Sequence, residues 1–500
     1  MTPRGFQPIT LTRRGFTGLA ALALLSPLTA CTEESARIEP VTEPPASAVL
    51  PDEDPAATAL ALSSSLFATA ELVIVAPADA LDDVAGLAAE AGVPLLLGPA
   101  EGLAAELERL GARTVLVVAG HGLERLDTSA EVVELDLSAG TAELPEVQRV
   151  GDGAPVTLLV DPAADSPARA IADALVGAAG GTVAEIPGGD VGRGSASVAV
   201  LREAAGEDPA RGVLALGESF GPTEAFPASL ERTLGAPELP GGGTTLFPGR
   251  RFVAAYGSPN VPSLGVLGEQ DLPATLERVA ALAGEYEGLA EEPVVPALEI
   301  IATIASSQAG GDGDYSSELG AEGLREWVDA AGEAGVYVVL DLQPGTTDFL
   351  TQARRYEELL TAPHVGLALD AEWRLEPGQK HLEQIGSVTA AEINEVSTWL
   401  ADLTAEHSLP QKLLILHQFT RSMIRDRQDL DTSRPELAIT LHADGHGVPG
   451  DKLGTYKALQ KDLPAGIHMA WKNFYDEDTP MFTPEETLAV EPPPWFVSYQ

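Results

Sequence analysis

Apolar and polar positions alternate along this chain in blocks rather than residue by residue. From about residue 66 to 250, short apolar runs at 72–75, 94–97, 114–118, 156–160 and 213–216 are separated by Ala- and Leu-rich helical stretches. Continuous runs mean that both faces of each strand are covered, as in a parallel sheet flanked by helices. A Gly- and Pro-rich seam at 237–249 follows and reads as a domain boundary. Beyond it lie eight more apolar runs, at 252–256, 297–304, 336–342, 365–369, 413–416, 437–441, 467–471 and 496–499. Helical stretches at 272–286, 321–334, 348–360, 390–406 and 455–461 separate most of them. Eight strands with intervening helices over about 250 residues match a (β/α)8 barrel. The predicted fold is α/β: an N-terminal αβ-layered domain with a mostly parallel sheet over 63–249, then a TIM-like barrel over 250–500.

The N-terminus follows a different rule. Thr12-Arg13-Arg14-Gly15-Phe16 precedes an uncharged apolar stretch, and Leu28-Thr29-Ala30-Cys31 ends it. A basic start, a short apolar core and a small-residue junction predict a secretory signal over 1–30, too short to span a membrane. The paired arginines resemble a twin-arginine export signal, and the ending resembles the bacterial lipobox, which implies lipidation of Cys31. The expected address is the extracellular face of the cytoplasmic membrane, with lipid on Cys31 as anchor. Residues 32–60 hold five prolines and seven acids with no apolar period. Such a stretch predicts a solvated acidic linker over 31–62.

Composition narrows the partners. A net charge of −45 argues against nucleic acid. Cys31 is the one cysteine, so no disulfide can form within the chain. All six lysines, all five tryptophans and seven of eight histidines lie beyond residue 320, so acid–base chemistry is expected in the barrel.

A barrel carries its site at the C-terminal ends of its strands. Read in that way, the strand ends supply Tyr256, Asp341 and Gln343, then Asp370, Glu372 and Trp373. They further supply His417, Gln418, His442, Asp444, Trp471, Lys472, Asn473 and Tyr499. Asp370 and Glu372 stand two apart, so on a strand they share a face, and one carboxylate can hold the other protonated for acid catalysis. Glu372 is the expected acid, with Asp341, Asp370 or Asp444 as its partner. A cap on the following turn is the competing structural role for the pair. Tyr256, Gln343, Trp373, His417, Gln418, His442, Trp471, Lys472, Asn473 and Tyr499 are the candidate ligand-binding set, with the tryptophans able to stack on sugar rings or to pack outside the barrel.

His442, Asp444 and His446 alternate as a metal set would, yet Gly445 and Gly447 turn the chain there. Hydrogen-bonding histidines are the expected reading, with no metal and no cofactor. Gly217-Glu218-Ser219-Phe220-Gly221 has the spacing of a nucleophile elbow. No histidine follows it before His364, so a serine triad is not expected.

Residues 71–120, with Leu72-Val73-Ile74-Val75-Ala76, Gly92-Val93-Pro94-Leu95-Leu96-Leu97 and the stretch from Leu110 to Gly120, resemble one unit of the cell wall-binding repeat 2 family. A degenerate second unit starts near 156. That resemblance implies anchoring to cell-wall polymers. Asp370-Ala371-Glu372 at the fourth strand end resembles the acid motif of chitinase-like and lysozyme-like barrel glycosidases. Leu340-Asp341-Leu342-Gln343-Pro344-Gly345 and the stretch from Trp471 to Asp478 look like lipoproteins of high-GC Gram-positive bacteria of unassigned function. The combined expectation is a membrane-anchored envelope lipoprotein that acts as a glycan-directed hydrolase, or a non-catalytic envelope or cell-wall binding lipoprotein that holds a glycan or peptide ligand without turnover.

Overall fold

Eight parallel strands close a barrel over the second half of the chain. The computed structural model describes residues 35–119, 122–135, 137, 144–206 and 208–500, so the predicted signal segment and Cys31 lie outside the described residues. The barrel strands are β1 (Arg251–Gly257), β2 (Val294–Ala305), β3 (Tyr337–Leu342), β4 (Val365–Asp370), β5 (Lys412–Gln418), β6 (Leu437–Ala443), β7 (His468–Asn473) and β8 (Phe496–Tyr499). Each pairs in parallel with the next, and β8 returns to β1 with Phe496 opposite Phe252. Every apolar run beyond the seam is one of these strands.

The outer helices are α1 (Leu272–Gly284), α2 (Ala321–Glu333), α3 (Phe349–Arg354), α4 (Glu357–Leu360), α5 (Ala390–Glu406), α6 (Pro449–Gln460) and α7 (Pro484–Leu488). Their starts follow local chemistry. The Asp271 side chain accepts from Ala274 N ahead of α1, and Thr389 accepts from Glu392 N ahead of α5. The stretch predicted as one helix over 348–360 is two, α3 and α4. Tyr356 lies at the break because its buried ring carries the hydroxyl to the carbonyls of Ala302 and Leu319. Residues 419–436, between β5 and β6, contain only short turns and a two-residue strand.

Inside the barrel the strands divide along their length. At the N-terminal ends Phe252, Tyr337, Val339, Leu413, Ile415 and Phe496 pack into an apolar floor. Leu239, Leu246 and Phe247 from the Gly/Pro seam join that floor, so the seam seals the barrel rather than hanging as a loose connection. Arg250, fully buried, donates to the carbonyls of Pro240, Gly242 and Thr245 and fastens the seam at the end remote from the mouth.

Among the described residues, the N-terminal half holds two four-stranded parallel sheets. One runs Leu95–Leu97, Leu72–Ala76, Thr114–Val118, Glu131–Leu135, and the other Thr182–Glu185, Thr157–Val160, Val213–Leu216, Ala48–Leu50. A third, mixed sheet joins Phe67–Ala70, Ala36–Pro40 and Val147–Arg149.

These strands correct the expected linker. Ala36–Pro40 and Ala48–Leu50 are sheet members, and Pro55–Leu66 is a helix that buries Ala59, Leu62 and Leu66. The acids and prolines mark turns and a cap rather than a solvated stalk. Asp54 accepts from Ala56 N and Ala57 N, and Pro55 occupies the first helical turn, where its missing N–H costs nothing. Three-residue apolar strands are too short to raise the mean hydropathy of the segment.

Candidate functional site

At the C-terminal half of the barrel the inward residues become polar. Strand alternation sends Tyr256, Glu299, Asp341, Asp370, His417, His442, Lys472 and Ser498 to the interior, and all but Asp370 and Lys472, which are 3 % exposed each, and Tyr256 at 3 % are fully buried. Above them opens a cavity of about 450 Å³. Its walls include Tyr256, Gln343, Asp370, Glu372, Trp373, Asp444, His446 and Lys472.

His417 organises the centre. Its Nδ1 lies 3.0 Å from Asp444 Oδ2 and its Nε2 lies 2.9 Å from Glu299 Oε1. His442 packs beside it, tilted at 59° with 4.6 Å between ring centroids, and its Nε2 lies 3.2 Å from Ser498 Oγ. The Tyr256 hydroxyl donates to Asp341 Oδ2 at 3.0 Å, and Gln343 Nε2 donates to the Tyr256 oxygen at 3.4 Å. Lys472 Nζ sits 3.4 Å over the Tyr256 ring, a cation–π contact.

Burial and neighbouring charges set the protonation states. For His417, burial opposes the charge, but Glu299, Asp444 and Asp341 outweigh it and hold the imidazole well above the ordinary histidine range. Burial drives His442 down to about 3, so it is neutral. Glu299 stays low because His417, His442 and Lys472 overcome its burial, and Asp444 stays low through burial outweighed by its bond to His417 and by Lys472. Burial raises Asp341 to about 6, with Glu299 adding to it. Asp370 is raised well above the carboxylate range by burial, with Asp341, Asp444 and Glu372 adding repulsion. Glu372 is raised to about 7, by burial first and Asp444 second, and Lys472 and His417 offset only part of this. The cavity therefore presents an ionised Asp444 together with a Glu372 poised near neutrality.

Asp370 and Glu372 line one cavity, but not by strand alternation. The strand stops at Asp370, whose side chain caps the turn Ala371–Trp373 by accepting from Glu372 N at 3.2 Å. Capping and cavity lining thus coexist at this pair. Arg374 turns away to Glu392, 2.9 Å from Nε to Oε1. His442, Asp444 and His446 do not share a face, because β6 ends at Ala443: His442 lies below and Asp444 bonds to His417.

Of the ligand-binding candidates, Tyr256, Gln343, Trp373 and Lys472 line the cavity, with His417 and His442 beneath it. Four face the other way, since each neighbours an inward residue on its strand. Gln418 accepts from Arg427 Nη1 and donates to Arg421 O. Trp471 packs on Tyr456 and Phe482 outside the barrel and donates to Asn473 Oδ1, and Asn473 donates on to Thr487 of α7. Tyr499 shares a 2.6 Å hydroxyl contact with Tyr286. Glu299 and Ser498 are not among the strand-end candidates of the sequence. Glu299 carries one signal, the single charge inside the twelve-residue apolar strand β2.

No protein-family model and no curated protein matches the chain. Among solved structures, Cwp6 from Clostridium difficile is similar at 12% identity and a TM-score of 0.27, covering 53% of this chain and 64% of its own. Xanthomonas albilineans dihydropteroate synthase, at 11% identity and a TM-score of 0.26, covers 50% of this chain and 87% of its own. CcCel6C, a glycoside hydrolase family 6 enzyme from Coprinopsis cinerea, is 15% identical with a TM-score of 0.21, covering 44% and 60%. The chain thus spans 64% of the length of Cwp6. Likenesses this weak carry no argument about activity, which rests on the site itself.

Proposed function

We propose that the barrel mouth is the acid–base site of a glycan-directed hydrolase of the cell envelope. The observation that carries this reading is Glu372: a half-buried carboxyl on the wall of a 450 Å³ cavity, raised to about 7 by its surroundings. A carboxyl in that state can protonate a leaving oxygen at neutral pH. Asp444, which lines the same cavity, is the favoured partner, ahead of Asp370, held neutral, and Asp341, covered by Tyr256. The half-buried Trp373 offers an aromatic face or edge for a sugar ring.

The address belongs to the same proposal: export through the paired-arginine signal, lipid on Cys31 and an outward-facing chain. Replacing Cys31 by Ala should release the protein from membranes, and retention through a high-salt wash would remove lipid as the anchor.

The decisive experiment is a screen of cell-wall glycans with wild type and Glu372→Gln. Hydrolysis by wild type that the variant loses supports the reading. Glycan binding without turnover by either protein would overturn it in favour of a non-catalytic envelope binding protein.

A further inference from the structure

Below the cavity, four side chains from β2, β3, β5 and β6 converge inside the barrel: Glu299, Asp341, His417 and His442. All four are fully buried. His417 Nε2 lies 2.9 Å from Glu299 Oε1 and 3.9 Å from Asp341 Oδ1, and His442 Nδ1 lies 3.8 Å from Glu299 Oε1. Donor atoms about 2.0–2.2 Å from one ion stand at most about 4.4 Å apart, so these separations suit a shared ion.

The loose ends of the cluster point the same way. Glu299 Oε2, Asp341 Oδ1 and His442 Nδ1 have no hydrogen-bond partner. Buried polar atoms are nearly always paired, so three orphans within one cluster mark a place that something else fills. The far atoms of His417, His442 and Asp341 are held by residues outside the cluster. Asp444 meets His417 Nδ1 at 3.0 Å, Ser498 meets His442 Nε2 at 3.2 Å, and Tyr256 donates to Asp341 Oδ2 at 3.0 Å. Supports of that kind, on the far side of each ligand, orient the residues of metal centres.

We propose that Glu299, His417 and His442, whose donor atoms lie within 4.8 Å of one another, bind one divalent transition-metal ion of the zinc class, with Asp341 beside His417. Two imidazoles and one carboxylate suit zinc and its first-row neighbours, whereas calcium and magnesium take oxygen ligands. The ion replaces the proton between His417 and Glu299, and the ionised Asp444 on the other side of His417 lies beside it. This site goes beyond the glycan reading and stands independently of it.

The test uses the full mature chain, stripped with a chelator and titrated with Zn²⁺ by calorimetry, then with Co²⁺ followed by visible absorption. One equivalent of Zn²⁺ per chain, with cobalt bands of a nitrogen–oxygen site, is expected. His442→Ala and Glu299→Gln should each weaken binding by roughly 100-fold, and Ser498→Ala by roughly 10-fold. His407→Ala, at an exposed helix end, should leave binding unchanged. Less than one equivalent bound by wild type would overturn the proposal without recourse to any variant. Equal loss in His407→Ala, or full affinity in a folded His442→Ala protein, would also overturn it.

Discussion

His417 and Asp444 stand 27 positions apart in sequence and meet at 3.0 Å, imidazole Nδ1 to carboxylate Oδ2, beneath the mouth of the barrel. The second ring nitrogen faces Glu299, so one imidazole joins two buried acids. Removing it strands both. His417→Ala should lower the stability of the protein by about 3–5 kcal/mol in chemical denaturation. His407→Ala on the surface should stay within about 0.5 kcal/mol of wild type. A loss below about 1 kcal/mol at His417 would show that the acids find other partners.

Glu372 makes the pH dependence predictable. An acid raised to about 7 is protonated below that value, so turnover should fall as pH rises through about 7. Glu372→Gln should reduce the rate by about 10²–10⁴-fold. An unchanged rate in the variant would take Glu372 out of the chemistry.

The same shift acts on stability. The folded value lies above the unfolded one, so the fold favours the neutral acid. That contribution is complete below the unfolded value near 4.5 and is lost as pH rises through about 7. Between pH 4 and pH 8 wild type should lose on the order of 2 kcal/mol relative to Glu372→Gln. Parallel stability curves for the two proteins would contradict this.

Two tryptophans should separate packing from binding. Trp471 is buried between Tyr456 and Phe482, so Trp471→Ala should cost about 3–5 kcal/mol of stability. Trp373 is half-buried on the cavity wall, so Trp373→Ala should weaken glycan binding with a much smaller stability loss. Thermal melts and binding titrations on both variants distinguish the two roles, and a reversed pattern would exchange them.

The segment after the signal should behave as folded protein. Asp54→Ala removes the cap of the Pro55–Leu66 helix and should cost about 1 kcal/mol. Limited proteolysis of the mature chain should spare residues 36–66. Rapid cleavage there would restore the solvated linker.

The barrel was legible in the chain because burial on both faces leaves long apolar runs, and capped helices such as α5 carry their start signal locally. The acidic segment before residue 62 looks like a linker for the same local reason. Its three-residue strand Ala48–Leu50 gains its burial only by pairing with Val213–Leu216, more than 160 positions away. Mean composition registers the prolines and acids of such a segment and not the sheet edge awaiting it.

The sequence by itself determined the eight strands, their order and the polar character of their C-terminal ends, because these follow from runs of neighbouring residues. Only the tertiary structure decided which polar residues meet. A continuous apolar run hides the phase of its strand: with both faces buried, nothing local says that Lys472 points in while Trp471 and Asn473 point out, or that His417 is inward and Gln418 is not. Closure of the barrel then brings Glu299 to His417 across 118 positions, a contact of 2.9 Å fixed by register and curvature rather than by any nearby residue.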